Sequence, residues 1–230
     1  MPQNTAPHAD LAPARIAVFD LDRTITRSGT YTPFLMHCTR DRPLRYLRVP
    51  LAIGAMGAYV AKRTSRKALK ARMLALFVAG ASRDQIKAWS EAFVERWLTV
   101  QVRPGAVEAI ERHREAGDRI VMATASFDFY AKEFSRRLGI HETIATGSVW
   151  DRSERLCADV DGENCYGPAK VEAVDSYLAR LPSRPKVIFY SDHHSDFELL
   201  KMADEGIAVN PNAKLHKLAL EHGIQIADWG

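Results

Sequence analysis

Clusters of acidic and hydroxyl side chains stand where three apolar runs of this sequence end. The first run leads into Asp20-Leu-Asp22-Arg-Thr24, the second into Thr124-Ala-Ser126, and the third into Ser191-Asp192-His-His-Ser-Asp196. Carboxylates that converge in one cleft repel one another and raise their own pKa values, so they stay ionised most easily around a hard cation. Oxygen ligands with few imidazoles suit Mg²⁺, which binds one or two carboxylates plus a substrate phosphate. The residue types therefore indicate a magnesium site that also receives a phosphate.

A lysine near these acids supports the same interpretation. Lys170 is the third residue of a predicted helix if Gly167 is its N-cap and Pro168 its first residue. A cation at that position faces the positive end of the helix dipole, which is unfavourable by about 0.3–1 kcal/mol. A neighbouring carboxylate would compensate. A phosphate held by the helix N-terminus and the lysine together is the interpretation we favour.

The elements that position these residues alternate between strands and helices. Short apolar runs predict buried strands at residues 15–20, 119–124, 186–191 and 206–210. Between them, helices are predicted at 104–117, 127–138, 167–181 and 195–203, with a hairpin within 143–166. This order predicts an α/β fold with a doubly wound, Rossmann-like parallel sheet. Ligands of such sheets bind at the carboxyl ends of the strands, where the acids stand.

One long segment interrupts the alternation after the first strand. Residues 30–103 read as helical and are predicted to form an inserted cap domain on a core of residues 15–29 and 104–230. Amphipathic helices are predicted at 66–78 and 82–98, the second with Ser82 as N-cap and Gln85 completing a capping box. Residues 1–14 are predicted to be a disordered lead-in.

The charge of the chain is concentrated in the predicted cap. The chain as a whole carries +4, yet ten Lys or Arg and a single Asp stand between Arg40 and Arg72. Residues 49–61 of this stretch form an uncharged run, too short to span a bilayer. We expect a buried cap helix there, with interfacial membrane contact as the alternative. The basic stretch is either a solvated helix face or an attraction for an anionic substrate or lipid surface.

Composition limits the remaining possibilities. A hydrophobic fraction of 47% excludes a disordered protein. The cysteines are odd in number and form no C-x-x-C pair, so reduced thiols in a cytoplasmic protein are expected. They are Cys38, Cys157 and Cys165. The first residues contain no apolar segment of the kind found in a signal peptide.

The four motifs together resemble those of the haloacid dehalogenase (HAD) superfamily. In order they are Phe19-Asp20-Leu-Asp22-Arg-Thr24, then Thr124, then Lys170, then Asp192 with Asp196. The helical insert after the first motif, and Ala208-Val-Asn210-Pro after the last, resemble subfamily IB, which includes phosphoserine phosphatase. The match covers about residues 15–30 and 104–228. It implies a magnesium-dependent phosphomonoesterase that acts on a small organic phosphate.

The resemblance also implies a role for each matching residue. Asp20 attacks phosphorus and forms an aspartyl-phosphate. Asp22 is the general acid for the leaving oxygen, then the base that activates water, and it offers its backbone carbonyl to the metal. Thr124 hydrogen-bonds the transferring phosphoryl group and Lys170 neutralises its charge. The implied metal ligands are Asp20, Asp22 and Asp192, and the supporting residues are Thr24, Ser126 and Asp196.

Some positions leave alternatives open. Ser126 competes with Thr124 for the phosphate, and Thr124 is preferred because it is predicted to end the strand. Asp196 either ligates the metal, orients a metal-bound water, or is only an acid at a helix N-terminus. His193 and His194 are expected to be ordinary loop residues.

Two departures from the family pattern bear on the substrate. Arg23 stands between the second Asp and the Thr, where the family usually has a small residue. Phosphoserine phosphatases carry a glutamate in the region of residues 27–30 that binds the substrate amine. This sequence has no acid there, so phosphoserine is disfavoured as the substrate. Alternatives are a lysophospholipid-type phosphatase at a membrane surface, a phosphotransferase, and a non-enzymatic basic binding module. Nucleic acid is not an expected partner, and the sequence does not encode an oligomeric state.

Overall fold

Residues 13–230 are described by the computed structural model, and most of the predicted lead-in lies outside them. The strands form one seven-stranded sheet in the order β4-β3-β2-β1-β5-β6-β7. They are β1 (Arg15–Phe19), β2 (Arg119–Phe127), β3 (Glu142–Trp150), β4 (Leu156–Asp161), β5 (Lys186–Ser191), β6 (Glu205–Val209) and β7 (Gln225–Ala227). All neighbouring pairs are parallel except β3 and β4, which form the predicted hairpin. The predicted fold class is confirmed.

The helices connect the strands and cover both faces of the sheet. They are α1 (Tyr31–Thr39), α2 (Val49–Val60), α3 (Arg66–Phe77), α4 (Arg83–Val100), α5 (Pro104–Glu115), α6 (Asp128–Leu138), α7 (Pro168–Leu178), α8 (Phe197–Met202) and α9 (Ala213–His222). Alternate residues of β1 belong to two separate cores: Ala17 and Phe19 pack with α5 and α6, while Ile16 and Val18 pack with α7, α8 and α9. This two-sided burial explains why the strands read as continuous apolar runs.

The helices α1 to α4 form a single insert between β1 and α5. Its two ends lie side by side, because the N–H of Arg27 donates to the carbonyl of Gln101 at 2.7 Å and that of Arg103 to Ile25 at 2.9 Å. Phe34 of α1 stacks on Tyr130 of α6 with ring centroids 4.6 Å apart, which holds the insert against the sheet domain. We propose that this paired stem bounds a cap domain of residues 30–103.

Three predicted elements differ from the structure. β2 continues beyond Thr124 to Phe127, because Phe127 still pairs with Thr146 of β3. The helix predicted to end at residue 181 ends at Leu178, a few residues before Pro182. The helix predicted at 195–203 is a single tight turn, His194–Asp196, followed by the short α8.

The expectation of a buried helix at residues 49–61 is wrong. α2 forms there, but Ala52 is its one buried residue, while Ile53 and Val60 are 67% and 74% exposed. A run of apolar residues predicts a helix equally well whether or not another part of the chain covers it, so the sequence pattern could not decide burial. Across residues 13–230, no helix combines the length and hydropathy that crossing a membrane requires.

Candidate active site

The first acidic motif forms a tight loop at the carboxyl end of β1. The N–H of Asp20 donates to the carbonyl of Tyr190 at 3.0 Å, which continues the pairing of β1 with β5. The loop then turns back so that the N–H of Thr26 donates to the carbonyl of Leu21 at 3.0 Å. Arg23 lies at φ +65°, the left-handed region that favours glycine. The departure from a small residue at this position therefore costs backbone energy, of about 1 kcal/mol.

Lys170 joins two of the acidic motifs. Its Nζ donates to Asp20 Oδ1 at 2.8 Å and to Asp196 Oδ2 at 2.7 Å, and the side chain is 3% exposed. The predicted helix start is confirmed, with Gly167 as N-cap at φ +57° and Pro168 as the first helical residue. Burial acts to lower the pKa of Lys170, but Asp196 and Asp20 outweigh it, so the pKa lies above its usual range. The lysine is a permanent cation in this site.

The site holds more carboxylates than cations. Burial, opposed by Lys170 and assisted by the neighbouring acids, raises the pKa of Asp20 to about 8. Burial, with Asp196 as the next cause, raises the pKa of Asp192 to about 7. Among residues 13–230, no hydrogen-bond donor reaches the side-chain oxygens of Asp192. Lys170 and Arg23 lower the pKa of Asp192 through space, but they do not offset its burial and the neighbouring acids.

Asp22 is held away from the lysine by a separate group of donors. Its Oδ1 accepts from the N–H and the hydroxyl of Thr30 at 2.6 and 2.7 Å, and its Oδ2 accepts from the Ser126 hydroxyl at 3.0 Å. Thr30 is buried at the start of the insert and was not predicted as a site residue. Its hydroxyl also contacts that of Ser126 at 2.9 Å. These contacts fix the second carboxylate of the motif relative to Asp20.

The hydroxyl residues of the motifs take different positions. Thr24 donates to Asp20 Oδ2 at 3.3 Å and accepts from the N–H of Asp192 at 3.0 Å, so it connects the loops that follow β1 and β5. Thr124 is fully buried, and its hydroxyl accepts from the N–H of Ser126 at 3.1 Å. Ser126 itself lines the cleft. The reason given for preferring Thr124, that it ends the strand, is wrong; which hydroxyl binds phosphate stays a prediction.

The motif residues open onto one cleft of about 420 Å³ beneath the insert. The predicted site residues that line it are Asp20, Asp22, Ser126, Lys170, Asp192 and Asp196. His193 also lines the cleft, and burial, with His194 as the next cause, lowers its pKa to about 4. Its Nδ1 accepts from the N–H of Ser195 at 3.1 Å, so the imidazole caps the following turn in its neutral form.

The insert supplies a lysine that sequence reasoning missed. Lys70 of α3 lines the cleft, and its Nζ donates to the carbonyl of Ala125 and, at 3.0 Å, to Asn164 Oδ1. It lies 4.2 Å from the centre of the Phe127 ring. Burial lowers the pKa of Lys70 to about 7. Lys70 was not recognised from the sequence because it stands in a run of basic residues, where nothing distinguishes a buried lysine from exposed ones.

The donor set fits Mg²⁺ better than a metal bound by protein side chains alone. In the described chain, no three His, Cys, Asp or Glu side chains are grouped closely enough to hold a metal by themselves. Asp20 and Asp192 provide hard carboxylate oxygens beside an open cleft. Mg²⁺ uses one or two carboxylates and completes its shell with waters and substrate phosphate. A divalent cation would also supply the positive charge that these acids lack.

Comparison with known proteins identifies the family. Residues 17–201 match the model of the haloacid dehalogenase-like hydrolases. The chain belongs to this family. It is 32% identical over 190 residues to protein CicA of Caulobacter vibrioides, covering 83% of each chain. It is 28% identical over 228 residues to phosphoserine phosphatase SerB1 of Mycobacterium tuberculosis, covering 97% of this chain and 73% of that one.

A solved structure has the same fold. The crystal structure of a protein of unknown function from Bordetella pertussis superposes with a TM-score of 0.83 at 25% identity, covering 95% of this chain and 100% of that chain. The chain is thus an HAD-type phosphatase related to the phosphoserine phosphatases, and the predicted family and enzyme class are confirmed.

Proposed function

We propose that this HAD phosphatase hydrolyses a small organic phosphate monoester, with Mg²⁺ as cofactor and an aspartyl-phosphate on Asp20 as intermediate. The observation that carries the proposal is that two neighbouring carboxylates have different hydrogen-bond partners. Asp20 contacts the buried Lys170, while Asp22, two residues on, is held by Thr30 and Ser126. A nucleophile and a separate acid are the two groups that a double displacement at phosphorus needs.

The reaction follows from these positions in two steps. A carboxylate oxygen of Asp20 attacks phosphorus, the bond from phosphorus to the ester oxygen breaks, and Asp22 gives its proton to the leaving alcohol. Asp22 then takes a proton from water, whose oxygen attacks the same phosphorus and releases inorganic phosphate and free Asp20. Asp20 is esterified in the second step, so it cannot act as the base. The Nζ of Lys170, 2.8 Å from Asp20, offsets the charge that develops on the phosphoryl oxygens.

Mg²⁺ would be held by the carboxylates of Asp20 and Asp192 and the backbone carbonyl of Asp22. When bound, the ion supplies Lewis-acid polarisation of the phosphoryl group and neutralises charge. The raised pKa values of Asp20 and Asp192 support this assignment, because the charge of Lys170 does not offset the burial of either acid. Asp196 is engaged by Lys170 and by the Ser191 hydroxyl at 2.8 Å, which supports an orienting role for it.

The cleft suggests the character of the substrate body. Three basic side chains line it together with apolar side chains of the insert. The basic residues are Arg23, Arg66 and Lys70, and the apolar residues are Met56, Leu69 and Met73. This combination favours an organic phosphate that carries a second anionic group and an apolar portion.

The thiols support a reducing compartment. All three cysteines lie in the described part of the chain, and none is paired. Cys38 and Cys165 are buried, and burial raises the pKa of Cys165 to about 11, which makes it a poor nucleophile. We therefore propose a cytoplasmic enzyme in which these residues have no catalytic part.

Hydrolysis of 4-nitrophenyl phosphate tests the proposal. We expect turnover in Mg²⁺ that is abolished by chelation and by Asp20→Asn, and retained in Asp175→Asn, which changes an exposed acid of α7. Turnover that survives Asp20→Asn in the presence of Mg²⁺ would reject Asp20 as the nucleophile. Equal turnover with and without a chelator would reject the metal.

A further inference from the structure

The insert presents a group of large apolar side chains that nothing in the described chain covers. It consists of Leu44, Leu47, Leu51, Ile53, Met56 and Val60, which we call the apolar ridge. All are more than two-fifths exposed, and Leu44 and Leu47 reach 79% and 78%. Elsewhere in residues 13–230, large exposed apolar side chains are scattered singly. Clustered exposure of this kind marks an interaction site, whereas scattered exposure needs no explanation.

The helix beneath the ridge has no polar side to face water. α2 has twelve residues, none of them charged, and it packs on the rest of the insert through a narrow strip around Ala52 and Tyr59. Ile53 and Val60 flank that strip on one side and Leu51 on the other, with only Pro and Gly on the outward face between them. A surface helix of a globular protein normally exposes polar residues on that side. The ridge is therefore built for an apolar or interfacial environment.

Basic side chains border the ridge at both ends. Arg40, Arg42, Arg45 and Arg48 precede α2, and Lys62, Arg63, Arg66 and Lys67 follow it. Within the described chain, none of those from Arg40 to Arg66 forms a salt bridge, and Lys67 alone pairs, with the exposed Glu163 at 3.2 Å. Arg45 and Arg48 donate to the carbonyls of Ala79 and Leu76, and the guanidinium groups of Arg42 and Arg66 lie over the rings of Trp89 and Tyr166. These contacts leave the positive charge un-neutralised at both ends of the ridge.

We propose that the apolar ridge and its basic border dock this protein onto the surface of an anionic phospholipid bilayer. A bilayer offers an apolar layer for a convex helix to enter and a plane of negative headgroups for the cations around it. A second copy of the chain fits less well, because joining two ridges face to face brings two basic borders together. The ridge is a convex helix rather than a groove, so it does not suit a bound peptide.

Docking would also orient the catalytic cleft. Tyr59 of α2 lines that cleft, and so does Met56, which is the least exposed residue of the ridge. The lipid surface would then lie directly outside the wall of the insert that faces the substrate. The inference concerns binding alone and does not depend on the proposed phosphatase reaction, so the two can fail separately.

Sedimentation with vesicles tests the docking surface. The full chain is mixed with vesicles of phosphatidylcholine alone, or of phosphatidylcholine and phosphatidylglycerol in equal parts, and the bound fraction is measured across salt concentrations. Ile53→Glu is compared with Leu220→Glu on α9, because both parent side chains are 67% exposed. Arg63→Glu is compared with Lys214→Glu, also an exposed residue of α9. Thermal unfolding followed by circular dichroism confirms that each variant is folded.

We expect the parent to bind the mixed vesicles and to be released by salt. Ile53→Glu lowers the partition coefficient by about tenfold or more, and Arg63→Glu by about fivefold or more, while both α9 variants bind like the parent. The proposal is overturned if the parent fails to sediment with the mixed vesicles, or if Ile53→Glu and Leu220→Glu bind equally well. A parent dimer that Ile53→Glu dissociates, without vesicle binding, would instead assign the ridge to a second copy.

Discussion

Lys170 lies buried between the carboxylates of Asp20 and Asp196, so its removal has a calculable consequence. In Lys170→Met the hydrogen bonds at 2.8 and 2.7 Å to Asp20 and Asp196 are lost, and neither acid gains a replacement. Breaking a buried ion pair by removing one partner costs about 3–5 kcal/mol. We expect the free energy of unfolding to fall by this amount at pH 8 in the absence of metal. Without the lysine, the carboxyl groups of Asp20 and Asp196 must either stay charged or bind protons.

The loss depends on pH with a defined sign. Removing the lysine raises the pKa of the remaining carboxyls, so the folded variant binds protons that the unfolded chain has released, and its stability falls as pH rises. The folded parent already binds a proton on Asp20, whose pKa is about 8, so only a proton that the folded variant binds in addition changes the cost of the substitution. Each pH unit is worth about 1.4 kcal/mol for one such additional proton, so lowering the pH from 8 to 5 recovers up to about 4 kcal/mol. The cost of Lys170→Met at pH 5 is therefore expected to be about 1 kcal/mol or less.

Urea unfolding in EDTA at the two pH values measures this difference. Lys186→Met is the control, because Lys186 forms an exposed pair with Glu205 at 2.6 Å whose loss costs at most about 1 kcal/mol at either pH. A cost below about 1 kcal/mol for Lys170→Met at pH 8, or the same cost at pH 5 and pH 8, would refute the charge balance described for this site.

Three further predictions concern the same cleft. Asp22→Asn is expected to lower kcat by about 10²- to 10⁴-fold, with the larger loss for alkyl than for nitrophenyl esters because a poor leaving group needs the acid more; equal losses would contradict the role. Because the pKa of Asp192 is raised to about 7 in the metal-free protein, stability in EDTA should fall as pH rises from about 4 to 7, and Mg²⁺ should raise the thermal midpoint more at pH 8 than at pH 5.5. A Mg²⁺ effect that is equal at the two pH values would contradict this. Arg23→Gly relieves a side chain at φ +65° and should leave stability unchanged or higher by about 1 kcal/mol, while KM for a substrate with a second anion rises more than kcat changes. A destabilised variant, or an unchanged KM, would count against the position assigned to Arg23.

The sheet and the acids at its edge were predictable from sequence for a physical reason. Strands buried on both faces must be apolar throughout, so their ends are visible where Asp20 and Asp192 interrupt the pattern. Parallel strands bring those ends to one edge, which puts distant residues in one cleft. Lys170 was also predictable, because Gly167 and Pro168 before it identify a helix start.

Features that depend on long-range packing were not predictable. Thr30 and Lys70 contact the site from the insert, and neither stands in a local pattern that distinguishes it from other threonines and lysines. The end of β2 was misjudged because hydroxyl residues were read as the start of a loop, whereas pairing with β3 keeps them in the strand. The exposure of α2 was missed because the hydrophobicity of a sequence does not show whether another segment packs over the helix.

Trapping the intermediate tests the central claim, that Asp20 is the covalent nucleophile. The enzyme is acid-quenched during turnover of a phosphate ester in Mg²⁺ and reduced with borohydride, which converts an aspartyl-phosphate to homoserine. Peptide mass spectrometry should then find homoserine at position 20 in the parent, and none in a sample quenched without substrate. Homoserine at another aspartate, or its absence at position 20 during active turnover, would contradict the assignment of Asp20.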